Sequence, residues 1–451
     1  MTDPAARASR ALGPGEHTVW SAPGRVNLIG EHTDYNEGYV LPFALPQRTA
    51  VAARRSDGHE WTVWSEAIGE LVRFGCSDLV PGRVTGWASY AAGIVWALRA
   101  AGHPVDPAAL AVASDVPLGA GLSSSAAFEC ATLGALAGEV LPLEEWPRLA
   151  QHAENDYVGM PCGIMDQSAA AFCRDGHALF LDCRTRLYQH VPFDLPSAGL
   201  AILLIDTRAP HRLVTGEYAA RRADCESAAK ILDVDALRDI GIAELDTALG
   251  RVDSDMVRRR VRHVVTENQR VLDAVESLRA GRIRDIGPLL TASHDSLRHD
   301  FEVTVPQLDT AVEAAVASGA HGARMTGGGF GGCPRTGRYR RRARQRRCGR
   351  RRIQSRRVWP AGDVSGHAVQ RRLPARVIAR RTGGDLQQTR DEIIRIAARH
   401  GARNVRLFGS VARGDDRPES DLDLLVEMDA DRSLLDLVGV GQSSKSCFTA
   451  E

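Results

Sequence analysis

The sequence predicts an α+β protein: mixed sheet and helix through the first three-quarters, then a poorly ordered basic tract and a short α/β fragment. Three observations predict it. Residues 1–333 alternate apolar runs with stretches of helical spacing, punctuated by Gly and Pro. Three glycine-rich segments interrupt that pattern at turns. After Cys333 the pattern stops abruptly and the charge changes with it.

The charge count sharpens the division. The 451 residues hold 57 Lys+Arg and 56 Asp+Glu, for a formal net charge of +1. That total averages unlike pieces: residues 1–333 carry −12, residues 334–381 carry +17 and residues 382–451 carry −4. Only Lys230 and Lys445 are lysines. Neither lies in a G-K-[ST] loop, which excludes a Walker-type phosphate site. No lysine fits the strand position of a protein kinase either. Phosphate chemistry here must rest on backbone N–H groups, arginine, hydroxyls and metal. The length suggests roughly two to four domains. No apolar run reaches the ~18 residues of a membrane span, so no membrane partner is expected. The N-terminus, MTDPAARASRALGPGEH, lacks the apolar core of a secretory signal. The nine cysteines are dispersed without C-x-x-C spacing, Cys162 and Cys173 among them, which points to reduced thiols and a cytoplasmic protein.

The first glycine-rich segment, residues 21–45, gathers Arg25, Asn27, Glu31, His32 and Asp34 around a turn. Ionised carboxylates accept charge-assisted hydrogen bonds from hydroxyls, so the EHTD string suits a neutral polyol. A self-capped turn, with Thr33 or Asp34 bonding its own backbone, is the plainer alternative. The second segment, residues 113–138, runs an apolar strand into PLGAGLSSS and then an Ala-rich helix. Its glycines allow close approach of an anion, the helix N-terminus presents free N–H groups, and Ser123 to Ser125 can cap the helix. Residues 152–172 supply Glu154 and Asp166 in an apolar setting, each a candidate proton acceptor or magnesium ligand, or else a helix-face or capping carboxylate. The run LAILLID at residues 200–206 reads as a buried strand. Residues 258–278 and 309–318 read as helices. The third segment, residues 322–333, offers a second glycine surface near phosphate, or a tight turn ahead of a strand.

The strings GRVNLIGEHTDYN, PLGAGLSSSAA, GIMDQ, HRLVTGEYAARRADC and TGGGFGGC, in this order and spacing, resemble the galactokinase family of GHMP small-molecule kinases. EHTDYN points to galactose rather than homoserine or mevalonate. The resemblance implies a two-domain GHMP kinase fold over about residues 20–333. Residues 1–195 would be the N-terminal mixed βα domain. Residues 196–333 would be a ferredoxin-like α/β domain, incomplete because PRTGRYRRRAR stands where an apolar strand belongs. The implied reaction moves the γ-phosphoryl group of ATP to the anomeric hydroxyl of α-D-galactose, the entry step of the Leloir pathway. Glu31, His32, Thr33, Asp34, Gly163 and Tyr218 would bind the sugar. Asp166 would accept the hydroxyl proton and Arg25 would orient it. Gly119, Ala120, Gly121, Leu122, Ser123, Ser124 and Ser125 would wrap ATP, with Trp87 beside the adenine. Ser125 and Glu154 would hold Mg²⁺. A monomer with little or no activity is the expectation for a chain whose second domain lacks its last strands.

Residues 334–385 hold an arginine-rich, low-order tract with no visible period. A reading-frame disruption after codon 333 is the reading its abrupt start favours; a nucleic-acid arm or a linker are alternatives. Residues 386–451 regain pattern, with a helix at 389–400 and strands at 405–408 and 422–426. VRLFGSVARGDDRPESDLDLLVEM resembles the minimal nucleotidyltransferase family. The resemblance would put Gly409 and Ser410 on nucleotide phosphates and Asp421 and Asp423 on divalent metal. The pattern fails again near Gly439, which marks a truncated module.

Overall fold

The structure, a computed structural model, describes residues 3–117, 121–207, 209 and 214–330, and beyond them only 371–377, 398, 402–408 and 422–428. It divides into two compact units, Met1–Arg342 and Ala343–Glu451.

The first unit opens with helix α1 (Pro4–Leu12), followed by strands β1 (Thr18–Asn27), β2 (Tyr39–Val40), β3 (Pro42–Arg55), β4 (Glu60–Ser65) and β5 (Glu70–Gly75). Helix α2 (Ser89–Ala100), strand β6 (Ala108–Ser114) and helices α3 (Ser124–Ala137), α4 (Trp146–His152) and α5 (Met165–Phe172) come next. Strands β7 (His177–Asp182) and β8 (Tyr188–Pro192) close this half. Five strands form one sheet in the order β1-β3-β6-β4-β5, antiparallel except for the parallel β4–β6 pair. Strands β2, β7 and β8 form a small antiparallel sheet beside it.

The core explains why the site is rigid. Val51, Trp61, Val63, Phe74 and Leu110 of the large sheet pack on Ile94 and Leu98 of α2, Leu133 of α3 and Leu149 of α4. A fully buried large apolar side chain contributes about 1.5–3 kcal/mol. Helix α3 is apolar almost all round, with Ala126, Ala127, Cys130, Ala131 and Leu133 at most 1% exposed. Such a helix lies inside a core rather than on it. Small side chains let it sit close to β1 and β3, which fixes where its N-terminus points. On the sheet's other face, Ala8 of α1 packs on Ala50, Ala52 and Ala113.

The rest of the unit is helical: α6 (Val214–Leu232), α7 (Leu245–Gly250), α8 (Asp255–Arg279), α9 (Ile286–His299) and α10 (Pro306–Ala317). Its core gathers Val261, Val264, Val265, Leu297, Phe301 and Val303. The helices expected at 258–278 and 309–318 are α8 and α10. The strand expected at 200–206 is not formed: the segment has no regular structure and Leu203 is 70% exposed. Among the described residues of 196–330 there is no strand to pair with it. An apolar strand without a neighbour leaves its backbone groups unpaired and its side chains in water. The α/β layer expected of the second domain is therefore present only as its helices.

In the second unit, β9 (Arg371–Val377), β10 (Ala402–Phe408) and β11 (Leu422–Met428) form a three-stranded antiparallel sheet in the order β10-β11-β9. Strands β10 and β11 cover the two predicted there. Strand β9 lies inside the tract read as low-order, and corrects that reading for seven residues. Leu373, Ala375 and Val377 alternate with Arg372, Pro374 and Arg376, and pairing with β11 selects that weak pattern. Of the predicted helix at 389–400 only Ala398 lies within the described residues, and it is helical. Among the described residues no helix is long and apolar enough to cross a membrane.

Candidate active site

The site starts with the chain leaving β1. Residues 28–38 turn tightly before β2, and Thr33 holds the turn: its hydroxyl donates to the carbonyls of Gly30 at 2.8 Å and Tyr39 at 2.7 Å. Fully buried, Thr33 serves the loop's own backbone, as the self-capped alternative has it. Glu31 is also turned inward. Its Oε1 accepts from Gly327 N at 2.8 Å and from the Thr326 hydroxyl at 3.1 Å, with Arg324 at 3.4 Å. It ties the first glycine segment to the third.

His32 and Asp34 remain for a ligand. His32 is buried, its Nδ1 lies 2.9 Å from the Tyr35 hydroxyl, and its Nε2 has no partner among the described residues. Burial, with His263 nearby, lowers its pKa to about 3, so the ring is neutral. Tyr218 of α6 stacks obliquely on it, ring centroids 5.7 Å apart. Asp34 presses on Gly163: a Cβ there would fall 1.9 Å from the Asp34 carboxylate. Only glycine fits that position. Burial raises the Asp34 pKa to about 7, and the neighbouring Asp166 charge adds to the shift. Asp34, Gly163, Gln151, Asn155, Arg186 and Arg222 are among the residues around a cavity of about 140 Å³.

Arg25 grips Asp166 with both arms, Nε to Oδ1 and Nη2 to Oδ2, each at 2.8 Å. Its third nitrogen donates to the Gly121 carbonyl at 2.7 Å. Asp166 sits in the first turn of α5, where a lone reading as a cap was open; its partners are instead Arg25 and Ser123. The Ser123 hydroxyl donates to Asp166 Oδ2 at 2.5 Å. Ser123 holds the N-cap position of α3 but makes no side-chain cap bond, which corrects the capping expectation for that serine. Its left-handed backbone (φ +54°) aims the hydroxyl away from the helix and at the carboxylate.

Ser125 lies close enough to Glu154 for its hydroxyl to favour the ionised carboxylate. Glu154 belongs to a π-turn, Ala153–Val158, a local distortion often found at functional sites. It is buried rather than on a solvated helix face, and Gln167 Nε2 donates to its Oε2 at 2.6 Å. Burial, and then Asp166, raise the Glu154 pKa to about 7. Glu129 is fully buried and its pKa is raised as well, by burial first and Glu154 second. Among the described residues no three His, Cys, Asp or Glu side chains form a metal cage. One carboxylate and one hydroxyl are nevertheless the sparse donor set that suits Mg²⁺, which keeps waters and phosphate oxygens as its other ligands.

The glycine segments meet at Gly121 and Gly327, where a Cβ on Gly327 would lie 3.3 Å from the Gly121 carbonyl. Leu122 packs with Val26, Val116 and Ala127 beneath that meeting point, and Ser124 opens helix α3. Gly119 and Ala120 lie outside the described residues, as do Gly409, Ser410 and Asp421. Asp423 is on β11, opposite Phe408 of β10 and Arg376 of β9. Trp87 is half-buried, its ring 6.4 Å from Phe128 of α3.

Reading from sequence missed Gln167, Glu129, Arg324, and the α8 pair His263 and Glu267. Charged residues in the middle of an otherwise apolar helix stripe were the available signal for the last two.

Comparison with known proteins agrees with this geometry. Residues 11–55 match the galactokinase galactose-binding signature, 89–174 the GHMP kinases N terminal domain and 274–333 the GHMP kinases C terminal. Residues 390–446 match the nucleotidyltransferase domain. A galactokinase from Streptomyces coelicolor is 53% identical over 319 residues, 70% of this chain and 82% of that one. One from Mycobacterium tuberculosis is 50% identical, across 69% of this chain and 86% of its own length. The crystal structure of Lactococcus lactis galactokinase complexed with galactose superposes with a TM-score of 0.64 at 36% identity, covering 70% of this chain and 84% of that one. At this identity and coverage the chain belongs to the galactokinase family of GHMP kinases.

Proposed function

We propose that this chain binds D-galactose and ATP and transfers the γ-phosphoryl group to the sugar's anomeric hydroxyl, giving galactose 1-phosphate. The observation that carries the reading is Asp166, held by Arg25 and Ser123 and near enough to Asp34, which lines the cavity with Gly163, for its charge to raise the Asp34 pKa.

Phosphoryl transfer needs alignment and charge stabilisation more than covalent chemistry. Asp34 and the His32 Nε2 accept and orient sugar hydroxyls, with Tyr218 closing the side. Asp166 accepts the proton of the attacking hydroxyl. The Arg25 guanidinium fixes the lone-pair direction of that carboxylate and stands beside the charge that develops on the transferring group. The α3 N-terminus and the Gly119–Ser125 loop present N–H groups and hydroxyls to the phosphates, and Trp87 borders the adenine. Ser125 and Glu154 would hold Mg²⁺, which would neutralise phosphate charge when bound.

The exposed 200–206 segment supports a second part of the proposal, that turnover is depressed because the scaffold behind the second half is incomplete. The nucleotidyltransferase match at 390–446 supports a second module of that family after the kinase segment.

The test is galactose-dependent ADP release by the purified chain, against an Asp166→Asn variant. We expect slow turnover that the variant abolishes, with galactose binding retained. Equal ADP release with and without galactose overturns the reading.

A further inference from the structure

Helix α8 brings four residues along one face onto the backbone of the loop that carries His32 and Asp34. They are His263, Glu267, Asn268 and Val271, spaced i, i+4, i+5 and i+8. Glu267 is fully buried. Its Oε1 accepts from Gly30 N at 2.9 Å and Glu31 N at 3.3 Å, and from the Ser293 hydroxyl at 2.7 Å. Arg270 Nε donates to Oε2 at 2.7 Å. His263, also fully buried, lies 3.1 Å through Nε2 from the Glu31 carbonyl, and its Nδ1 is 2.9 Å from the Ser296 hydroxyl. Asn268 accepts from Tyr39 N at 2.9 Å. Gly30, at φ +101°, lies so close that a Cβ would stand 2.9 Å from the Val271 methyl.

Packing alone does not account for this. A buried carboxylate is expensive to desolvate, and an apolar residue of similar size fills such a space at lower cost. What an apolar residue lacks is direction. Gly30 and Glu31 immediately precede His32, and α8 bonds the N–H groups of both and the carbonyl of Glu31. The backbone on the N-terminal side of His32 is thereby fixed from a different part of the chain.

We propose that Glu267, assisted by His263, is a positioning residue for sugar recognition: it holds the backbone of residues 30–31 so that His32 and Asp34 face the sugar. This rests on the galactose reading of the cavity. Neither residue touches sugar or nucleotide. Their effect falls on sugar affinity and spares the nucleotide, whose loop leaves from β6 and α3.

The full chain carries the test, with galactose and ATP dissociation constants measured separately and hydrogen exchange followed over residues 28–41. Glu267→Gln keeps the side chain's shape but removes its charge. It should weaken galactose about tenfold, as expected for disturbed buried hydrogen bonds, leave ATP within about twofold, and speed exchange over 28–41 but not over α3. His263→Ala should weaken galactose by a similar factor, and His263→Gln, which can still donate to the Glu31 carbonyl, should recover most of it. This pair carries the test if Glu267→Gln fails to fold. Galactose and ATP weakening together with a falling melting temperature, or unchanged galactose affinity, overturns the proposal. Should the unaltered chain bind no galactose, the function reading falls instead. Faster exchange over 28–41 in Glu267→Gln would then still support positioning, and unchanged exchange would still reject it.

Discussion

Asp34 shows how a residue can be legible in type and illegible in state. The EHTD string predicted a carboxylate suited to sugar at this turn, and Asp34 lines the cavity there. Its pKa of about 7 depends on burial and on Asp166, which lies far away in sequence, so no local pattern could have given it. The consequence is a pair of opposed pH dependences. A carboxyl raised on folding contributes stability fully below its unfolded pKa and loses it as pH rises through the folded value. The unliganded chain should therefore lose stability between about pH 4 and 7 through Asp34. Galactose affinity should rise over the upper part of that range and just beyond it, because the ionised form is the better acceptor. Asp34→Asn should flatten both curves. Melting temperature against pH, with and without galactose, measures this, and an unchanged slope in the variant contradicts it. Glu31, Thr33 and Ser123 were legible as site residues only in part. Each lies in the right loop, but the structure directs Glu31 to Gly327, Thr33 to its own turn and Ser123 to Asp166.

Helices α3, α8 and α10 were readable because their apolar period or composition is strong and their partners lie within the same unit. The 200–206 segment was misread because a buried strand and an unpaired apolar run look identical in sequence: pairing is decided by a neighbour that composition does not specify. Leu203 discriminates between the two. Exposed as it is, Leu203→Asp should change stability by no more than about 0.5 kcal/mol and reduce binding of a hydrophobic dye. A loss of several kcal/mol on chemical denaturation, typical of a charge placed in a core, would mean that the segment is buried after all. Strand β9 failed in the opposite direction: its pattern is faint, and only pairing with β11 makes it a strand.

For the molecule as a whole, the glycine segments and their order carried most of the fold and the family, because several of their glycines mark a close approach between two elements. Gly163 against Asp34 and Gly327 against Gly121 are two such approaches. The charge division after Cys333 coincides with the end of the family match at residue 333. What could not be read was how much of the site survives a second half that shows no strand among its described residues, 196–330. Arg25, Ser123 and Asp166 bond one another within the first half, and the contacts that Glu267, Thr326 and Gly327 make to the 30–31 turn come from residues before the break. We propose that the galactokinase site is assembled by residues up to 330 and that only the supporting scaffold is deficient. The most direct test is a chimera in which everything after Cys333 is replaced by the segment that follows the matching glycine motif in the Streptomyces coelicolor galactokinase. Galactose 1-phosphate formation should rise at least about tenfold over the unaltered chain, with the melting temperature rising alongside. A chimera that folds, melts higher and still makes no galactose 1-phosphate would contradict the claim.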